Sequence, residues 1–248
     1  MTPPAIVAHR GGRALAPENT LAAIRRAAAL GVDAVEIDVQ RTRDGHLVAH
    51  HDETLERTTG AAQPVDHLDL RDVVALDAGR WFAPEFAGER VPTLDEVAAA
   101  LPARMRLVAD LKHGDERWPG LSDQMAEFAR AFGPDRLAVL SIRHEFAARV
   151  AILVPGVLAL YTYRAPLSTD AELRALHDLP RGVGFGASLR ALSAGLLVVA
   201  REDGRPVYTF TPNTAVELGV ALAVGADAVI TDHPDLALAI RARLTVGR

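Results

Sequence analysis

A chain of 248 residues, 49% of them hydrophobic, can bury a sizeable core, and its length suits one (β/α)8 barrel or two small domains. With 27 basic and 32 acidic residues it carries a net charge of −5, which argues against a general nucleic-acid binder. The absence of cysteine excludes disulfides, zinc–thiolate centres and thiol nucleophiles and fits a cytoplasmic location, and no apolar run is long enough to span a membrane.

Met1-Thr2-Pro3-Pro4 lacks a basic stretch followed by an apolar run, so no signal peptide is expected. Ile6-Val7-Ala8 reads as the first strand and ends at His9-Arg10-Gly11-Gly12. A helix is expected from Leu21 to Leu30, with Asn19 or Thr20 as cap and Gly31 as stop. Ala34–Val39 is the second strand. Asp44-Gly45 marks a turn, and Leu47–Ala49 leads into His50-His51-Asp52. Residues 53–92, rich in proline and glycine, read as an insertion packed over one end of the domain. Alternation then resumes. Helices are expected at 93–101, 121–132, 145–153, 170–177, 189–199, 215–224 and 236–241. Strands are expected at 106–111, 137–140, 157–161, 183–185, 207–210 and 228–230. Eight strand–helix alternations predict an α/β fold, a closed (β/α)8 TIM barrel in a single domain over 1–248.

The second strand organises the chemistry. Side chains two apart in a strand share a face, so Glu36 and Asp38 point one way and Val35, Ile37 and Val39 the other. Two acids on one face are costly to desolvate without a cation or a hydrogen-bond network, which points to a divalent metal. Catalytic groups of a barrel sit at the C-terminal ends of its strands. There the sequence offers His9-Arg10, Glu36 and Asp38, His51-Asp52, and Asp110-Leu111-Lys112. Oxygen ligands of this kind suit Mg2+ or Ca2+. Three carboxylates with one divalent cation leave a single negative charge, and Arg10 with Lys112 turn it into a single positive one. Such a site attracts a monoanion, and a phosphodiester is one. Two histidines supply the acid and the base that in-line attack by water needs. His50 and His51 compete for one of these roles, because periodicity does not say which faces inward.

These residues, with Pro17-Glu18-Asn19-Thr20, Asp44-Gly45, Arg57-Thr58-Thr59-Gly60 and Ile230-Thr231-Asp232-His233-Pro234-Asp235, resemble the glycerophosphodiester phosphodiesterases. The likeness spans almost the whole chain and is densest in the first sixty residues. It implies a barrel with an insertion after its second strand and metal-dependent hydrolysis of a small glycerophosphodiester to glycerol 3-phosphate and an alcohol. It implies Glu36, Asp38 and Asp110 as metal ligands, His9 and His51 as the acid–base pair, and Arg10 and Lys112 as phosphate contacts. The family usually has glutamate where this chain has Asp110, and tryptophan near Phe210. Thr231-Asp232 is expected to close the barrel and cap the last helix. Ser141, Tyr161 and Phe210, near strand ends, are expected to line the pocket. Competing readings are a barrel phosphodiesterase that cleaves lysophospholipids or forms a cyclic phosphate, and a non-catalytic barrel that only binds glycerophosphodiesters.

Overall fold

The computed structural model describes residues 3–167 and 169–246; Met1 and Thr2, where the stretch without a leader was read, lie outside them. In chain order its strands are β1 (Ala5–Ala8), β2 (Ala34–Arg41), β3 (Leu47–Ala49), β4 (Arg106–Leu111), β5 (Leu137–Ser141), β6 (Leu158–Tyr163), β7 (Val183–Ser188), β8 (Val207–Phe210) and β9 (Ala228–Thr231). Eight of them are parallel and close into a ring, because β1 pairs with both β2 and β9. β3 stands apart: it returns antiparallel along β2, with Val39 opposite Ala49 and Arg41 opposite Leu47.

Period-two alternation sorts the strand residues. Val7, Ala34, Val108, Leu140, Leu160, Tyr208 and Ile230 fill the barrel, while Val35, Ile37, Val39, Leu107, Ala109 and Leu111 face the helices. The outer helices are α1 (Leu21–Leu30), α4 (Leu94–Ala100), α5 (Leu121–Phe132), α6 (His144–Leu153), α7 (Asp170–Ala175), α8 (Ala194–Glu202), α9 (Ala215–Ala223) and α10 (Pro234–Val246), with short α2 (Glu56–Thr59) and α3 (Leu70–Val73) in the insertion. Ile24, Ile37, Leu107, Leu121 and Met125 are fully buried in this outer layer, each worth about 1.5–3 kcal/mol by transfer from water. The interior is tight: a Cβ on Gly186 would run into Leu140 Cδ1, so a larger residue there requires Leu140 to move.

Two helices differ from expectation. The one expected over 189–199 starts at Ala194, because Ser193 caps it by accepting from the Leu196 N–H, and Ser188 holds the preceding turn by accepting from Ala191. The last helix runs from Pro234 to Val246, well past Arg241 at the expected end.

The insertion has its own apolar cluster, with Leu55, Val65, Val73, Ala78 and Val91 packed on Val48. Its far loop is tied by Asp77. This carboxylate accepts N–H bonds from Gly79 at 3.0 Å, Arg80 at 2.9 Å and Gly88 at 2.9 Å. The bonds from Arg80, Gly88 and Gly79 bring its pKa down to about 2. A depressed acid stabilises the fold above its unfolded pKa of about 4 and loses that contribution as pH falls through its folded value. Amide-exchange protection at Gly79, Arg80 and Gly88 is therefore expected to be full at pH 5 and to collapse toward pH 2. Asp77→Asn is expected to lack that acid step and to start less protected. A variant with the wild-type profile would show that another group ties the loop.

Candidate active site

β1 ends at Ala8, and the chain turns at once through His9–Gly11. Arg10 and Gly11 both take left-handed backbone angles, φ 50° and 81°. Gly11 is required twice over, since a Cβ there would also lie 2.7 Å from the Ala23 Cβ on α1. Arg10 is no glycine, and its strained angle lets its N–H donate to Glu36 Oε2 at 2.9 Å. Among the described residues Asn19 is the other left-handed non-glycine residue, at φ 58°. Its amide brackets Asp38: Nδ2 donates to Oδ2 at 3.1 Å, and Oδ1 accepts the Asp38 N–H at 3.2 Å. The cap of α1 is therefore Thr20, which accepts from Ala23, and Asn19 orients an acid.

Glu36, Asp38 and Asp110 converge, each offering an oxygen within 4.8 Å of the others. Register explains it: β2 and β4 are neighbours with Asp38 level with Asp110. Burial, then the charge of Asp38, pushes the Glu36 carboxyl up to about 7. Burial acts on Asp38 too, but Lys112 and Arg10 outweigh it and hold that acid well below the usual range. Asp110 is raised by burial and by Asp38 against the opposing pull of Lys112. Lys112 Nζ is 3.1 Å from Asp38 Oδ1 and forms a close ion pair with Asp110. Arg10, only 8% exposed, donates through Nη1 to Glu18 at 2.8 Å and sets Nε 3.1 Å from Asp38 without the alignment of a hydrogen bond. Both cations read as phosphate contacts are thus engaged by carboxylates. Glu18 also accepts from Arg57, which donates on to Asp52 at 2.6 Å.

Each of the two proposed catalytic histidines has a carboxylate at Nδ1. His9 Nδ1 lies 2.5 Å from Asp232 Oδ1, and His51 Nδ1 lies 2.6 Å from Asp52 Oδ1. Burial raises Asp52 less than its bonds to Arg57 and His51 lower it, to about 2; Asp232 is likewise brought down, chiefly by His9 against burial. Both acids are ionised at neutral pH, so each Nδ1 carries the proton it donates and each Nε2 is left for chemistry. Burial disfavours the His9 imidazolium, but Glu36 and Asp232 outweigh it and raise its pKa. His50, 4% exposed, turns away: its Nε2 meets the Thr54 carbonyl at 2.9 Å, and burial lowers its pKa.

His9, Arg10, Glu36, His51, Asp110 and Lys112 line one cavity of about 380 Å3 at the C-terminal end of the barrel, and Asp38 sits directly behind. The rest of its lining is Leu140, Ile142, Thr162, Arg164, Ser188, Arg190, Phe210, Thr211 and Ile230. Phe210 is in that lining, but Ser141 and Tyr161 are not. Ser141 donates to the Leu111 carbonyl at 2.7 Å, and Tyr161 stacks on His144 at 4.2 Å. The role of Asp232 beside His9 was missed, as was that of Glu18. A signal for the first was present: in a closed barrel the ends of the first and last strands are neighbours, and Ala8 pairs with Thr231. Thr231 accepts the His233 N–H at 3.1 Å, which closes a turn just ahead of the last helix.

Comparison with known proteins agrees with this geometry. The Glycerophosphoryl diester phosphodiesterase family matches residues 9–236. A glycerophosphodiester phosphodiesterase of Caldanaerobacter subterraneus is 32% identical over 93% of this chain and 94% of its own. One from Bacillus altitudinis is 32% identical over 95% and 97%. An Oleispira antarctica phosphodiesterase, solved in complex with the product sn-glycerol-3-phosphate, superposes with a TM-score of 0.81 at 27% identity, covering 96% of each chain. This chain therefore belongs to the glycerophosphoryl diester phosphodiesterase family and is a phosphoric diester hydrolase.

Proposed function

We propose that the chain, acting as one barrel with its insertion, cleaves glycerophosphodiesters to glycerol 3-phosphate and an alcohol by direct attack of water. The observation that carries this reading is a single cavity lined by two histidines, each backed by a carboxylate at Nδ1, beside a three-carboxylate cluster. The glycerol 3-phosphate bound to the Oleispira relative supports the product.

Three converging carboxylates, two of them buried and one pushed up to about 7, form an oxygen donor set short of positive charge, and that fits a divalent cation. Glu36, Asp38 and Asp110 would hold Mg2+ or Ca2+, which supplies Lewis-acid polarisation of a phosphoryl oxygen. Arg10 and Lys112 receive the phosphate. Lys112 and the Arg10 Nε contact acids of the cluster, so positive charge held there would loosen those contacts, while Glu18 keeps its bond to Arg10. One histidine takes the proton of the attacking water at Nε2, and the other gives a proton to the departing alkoxide. Asp52 and Asp232 keep each ring in the tautomer that leaves Nε2 on the cavity side.

Hydrolysis in heavy-oxygen water, with Mg2+ and Ca2+ in turn, is expected to give glycerol 3-phosphate carrying one solvent oxygen and no accumulating cyclic phosphate. A cyclic phosphate product would replace water with a substrate hydroxyl as nucleophile and overturn the reading.

Asp232→Asn is expected to lower kcat by about 10- to 100-fold, since an amide no longer fixes the His9 tautomer. KM is expected to change little. Loss of the carboxylate also lowers the His9 pKa, so the limb of the pH–rate profile due to His9 moves to lower pH. An unshifted limb would mean that Asp232 serves only the fold.

A further inference from the structure

The cavity has two charged walls, and the reaction as proposed uses one. His9 and Arg10 follow β1, and Glu36 and Asp38 belong to β2. In the ring of eight parallel strands, β6 stands directly across from β1 and β7 across from β2. The residues that follow those two opposite strands on the cavity wall include Arg164 and Arg190. The two strand ends are tied together, since Ser188 Oγ donates to the Arg164 carbonyl at 3.1 Å.

These arginines differ from the cations of the first wall. Arg10 and Lys112 are buried or half-buried and closely paired with acids. Arg164 and Arg190 are exposed, and among the described residues neither has a carboxylate within 4.0 Å. Glu217 feels the field of Arg190, but its carboxylate is engaged in the capping box of α9. Between the two walls the floor is apolar, formed by Leu140, Phe210 and Ile230. Beside Arg164, Thr162 buries its hydroxyl with no hydrogen-bond partner among the described residues.

We infer that Arg164 and Arg190 form a subsite for an anionic group, carboxylate or phosphate, carried by the leaving alcohol. The inference rests on the hydrolase reading above and names its substrate class. The reacting phosphate is placed at the first wall by the carboxylate cluster and the histidines. The glycerol arm carries only hydroxyls. A negative charge that reaches the opposite wall therefore belongs to the other ester arm, whose carbon skeleton crosses the apolar floor. Two arginines without acidic partners offer that group planar forks and a positive potential. A cationic alcohol meets the same potential as repulsion.

The test is kcat/KM for four diesters of glycerol 3-phosphate, with ethylene glycol, glycolate, 2-hydroxyethyl phosphate and choline as leaving alcohols. The glycolate or phosphate ester, or both, is expected to exceed the ethylene glycol ester by roughly tenfold at low salt, with choline lowest. Which anion is preferred distinguishes the two chemistries. Arg164→Met with Arg190→Met is expected to bring the anionic-to-neutral ratio close to one, whereas the double lysine variant keeps a preference. The subsite is overturned if neither anionic ester is preferred, if the preference survives the double methionine variant, or if that variant slows all four esters equally. In that last case the arginines serve the reacting phosphate or the fold. Turnover of the ethylene glycol ester separates the two levels. Its hydrolysis without an anionic preference sinks the subsite alone, and no hydrolysis of any ester sinks the hydrolase reading with it.

Discussion

His51→Gln and His9→Gln are each expected to lower kcat by ~10²–10⁴-fold with a much smaller change in KM. Glutamine can still offer a hydrogen-bonding group near the ring position, but it cannot exchange a proton at neutral pH. The structure makes the two substitutions separable. Both imidazoles present Nε2 because ionised Asp232 and Asp52 hold Nδ1. His9 has the raised pKa. Part of that comes from Glu36, which a bound cation neutralises, but the contact with Asp232 persists. We therefore expect His9 to be the acid and His51 to be the base. An essential acid makes the rate fall above its pKa, and an essential base makes it fall below. His9→Gln is expected to remove the alkaline fall of the pH–rate profile and His51→Gln the acid fall. A leaving group that needs no proton sharpens the test: glycerophospho-4-nitrophenol is expected to rescue His9→Gln and not His51→Gln. Equal rescue of both, or losses below tenfold, would sink the assignment.

What the sequence disclosed follows from the range over which each signal acts. The acids of the cluster were legible because period two is local: Glu36 and Asp38 share a face whatever surrounds them, and β4 repeats the pattern with Asp110. Barrel closure was legible as a count of alternations, and the start of α1 was legible as local chemistry, narrowed to Asn19 or Thr20. Periodicity did not choose between His50 and His51, which the family resemblance did, because the facing of each ring depends on where the Thr54 carbonyl lies after the chain bends. Nor was the helix start at Ala194 legible: apolar spacing continues upstream through Leu189 and Leu192, and only the hydroxyls of Ser188 and Ser193 show the turn. Asp232 lies 223 residues from His9, and Glu18 lies 39 from Arg57. Such contacts are written in the closure of the ring, not in spacing along the chain. The strained angles at Arg10 and Asn19 belong to the same class, since the contacts with Glu36 and Asp38 that hold them come from another strand.

Removal of divalent cations with EDTA is expected to abolish activity, and Mg2+ or Ca2+ to restore it. The argument is electrostatic. Glu36, Asp38 and Asp110 are brought together inside the barrel mouth, and burial with mutual repulsion keeps Glu36 from ionising until about 7. A carboxyl whose folded pKa lies above its unfolded value of about 4.3 costs stability as pH rises between the two. In chelator, the wild type is therefore expected to lose stability from pH 5 to pH 7 through this group, and Glu36→Gln to be spared that loss. Added cation reverses the order. It supplies the charge that the cluster lacks, so the wild-type unfolding midpoint is expected to rise with Mg2+ or Ca2+ while that of Glu36→Gln stays put. Calorimetric titration is expected to show binding by the wild type and none by the variant. Because proton and cation compete for Glu36, affinity is expected to weaken as pH falls below about 7. The variant thus trades function for stability: more stable than wild type in chelator at neutral pH, and inactive with or without metal. Activity that survives exhaustive chelation, or a Glu36→Gln protein stabilised by cation as much as the wild type, would show that the three acids serve some purpose other than holding an ion.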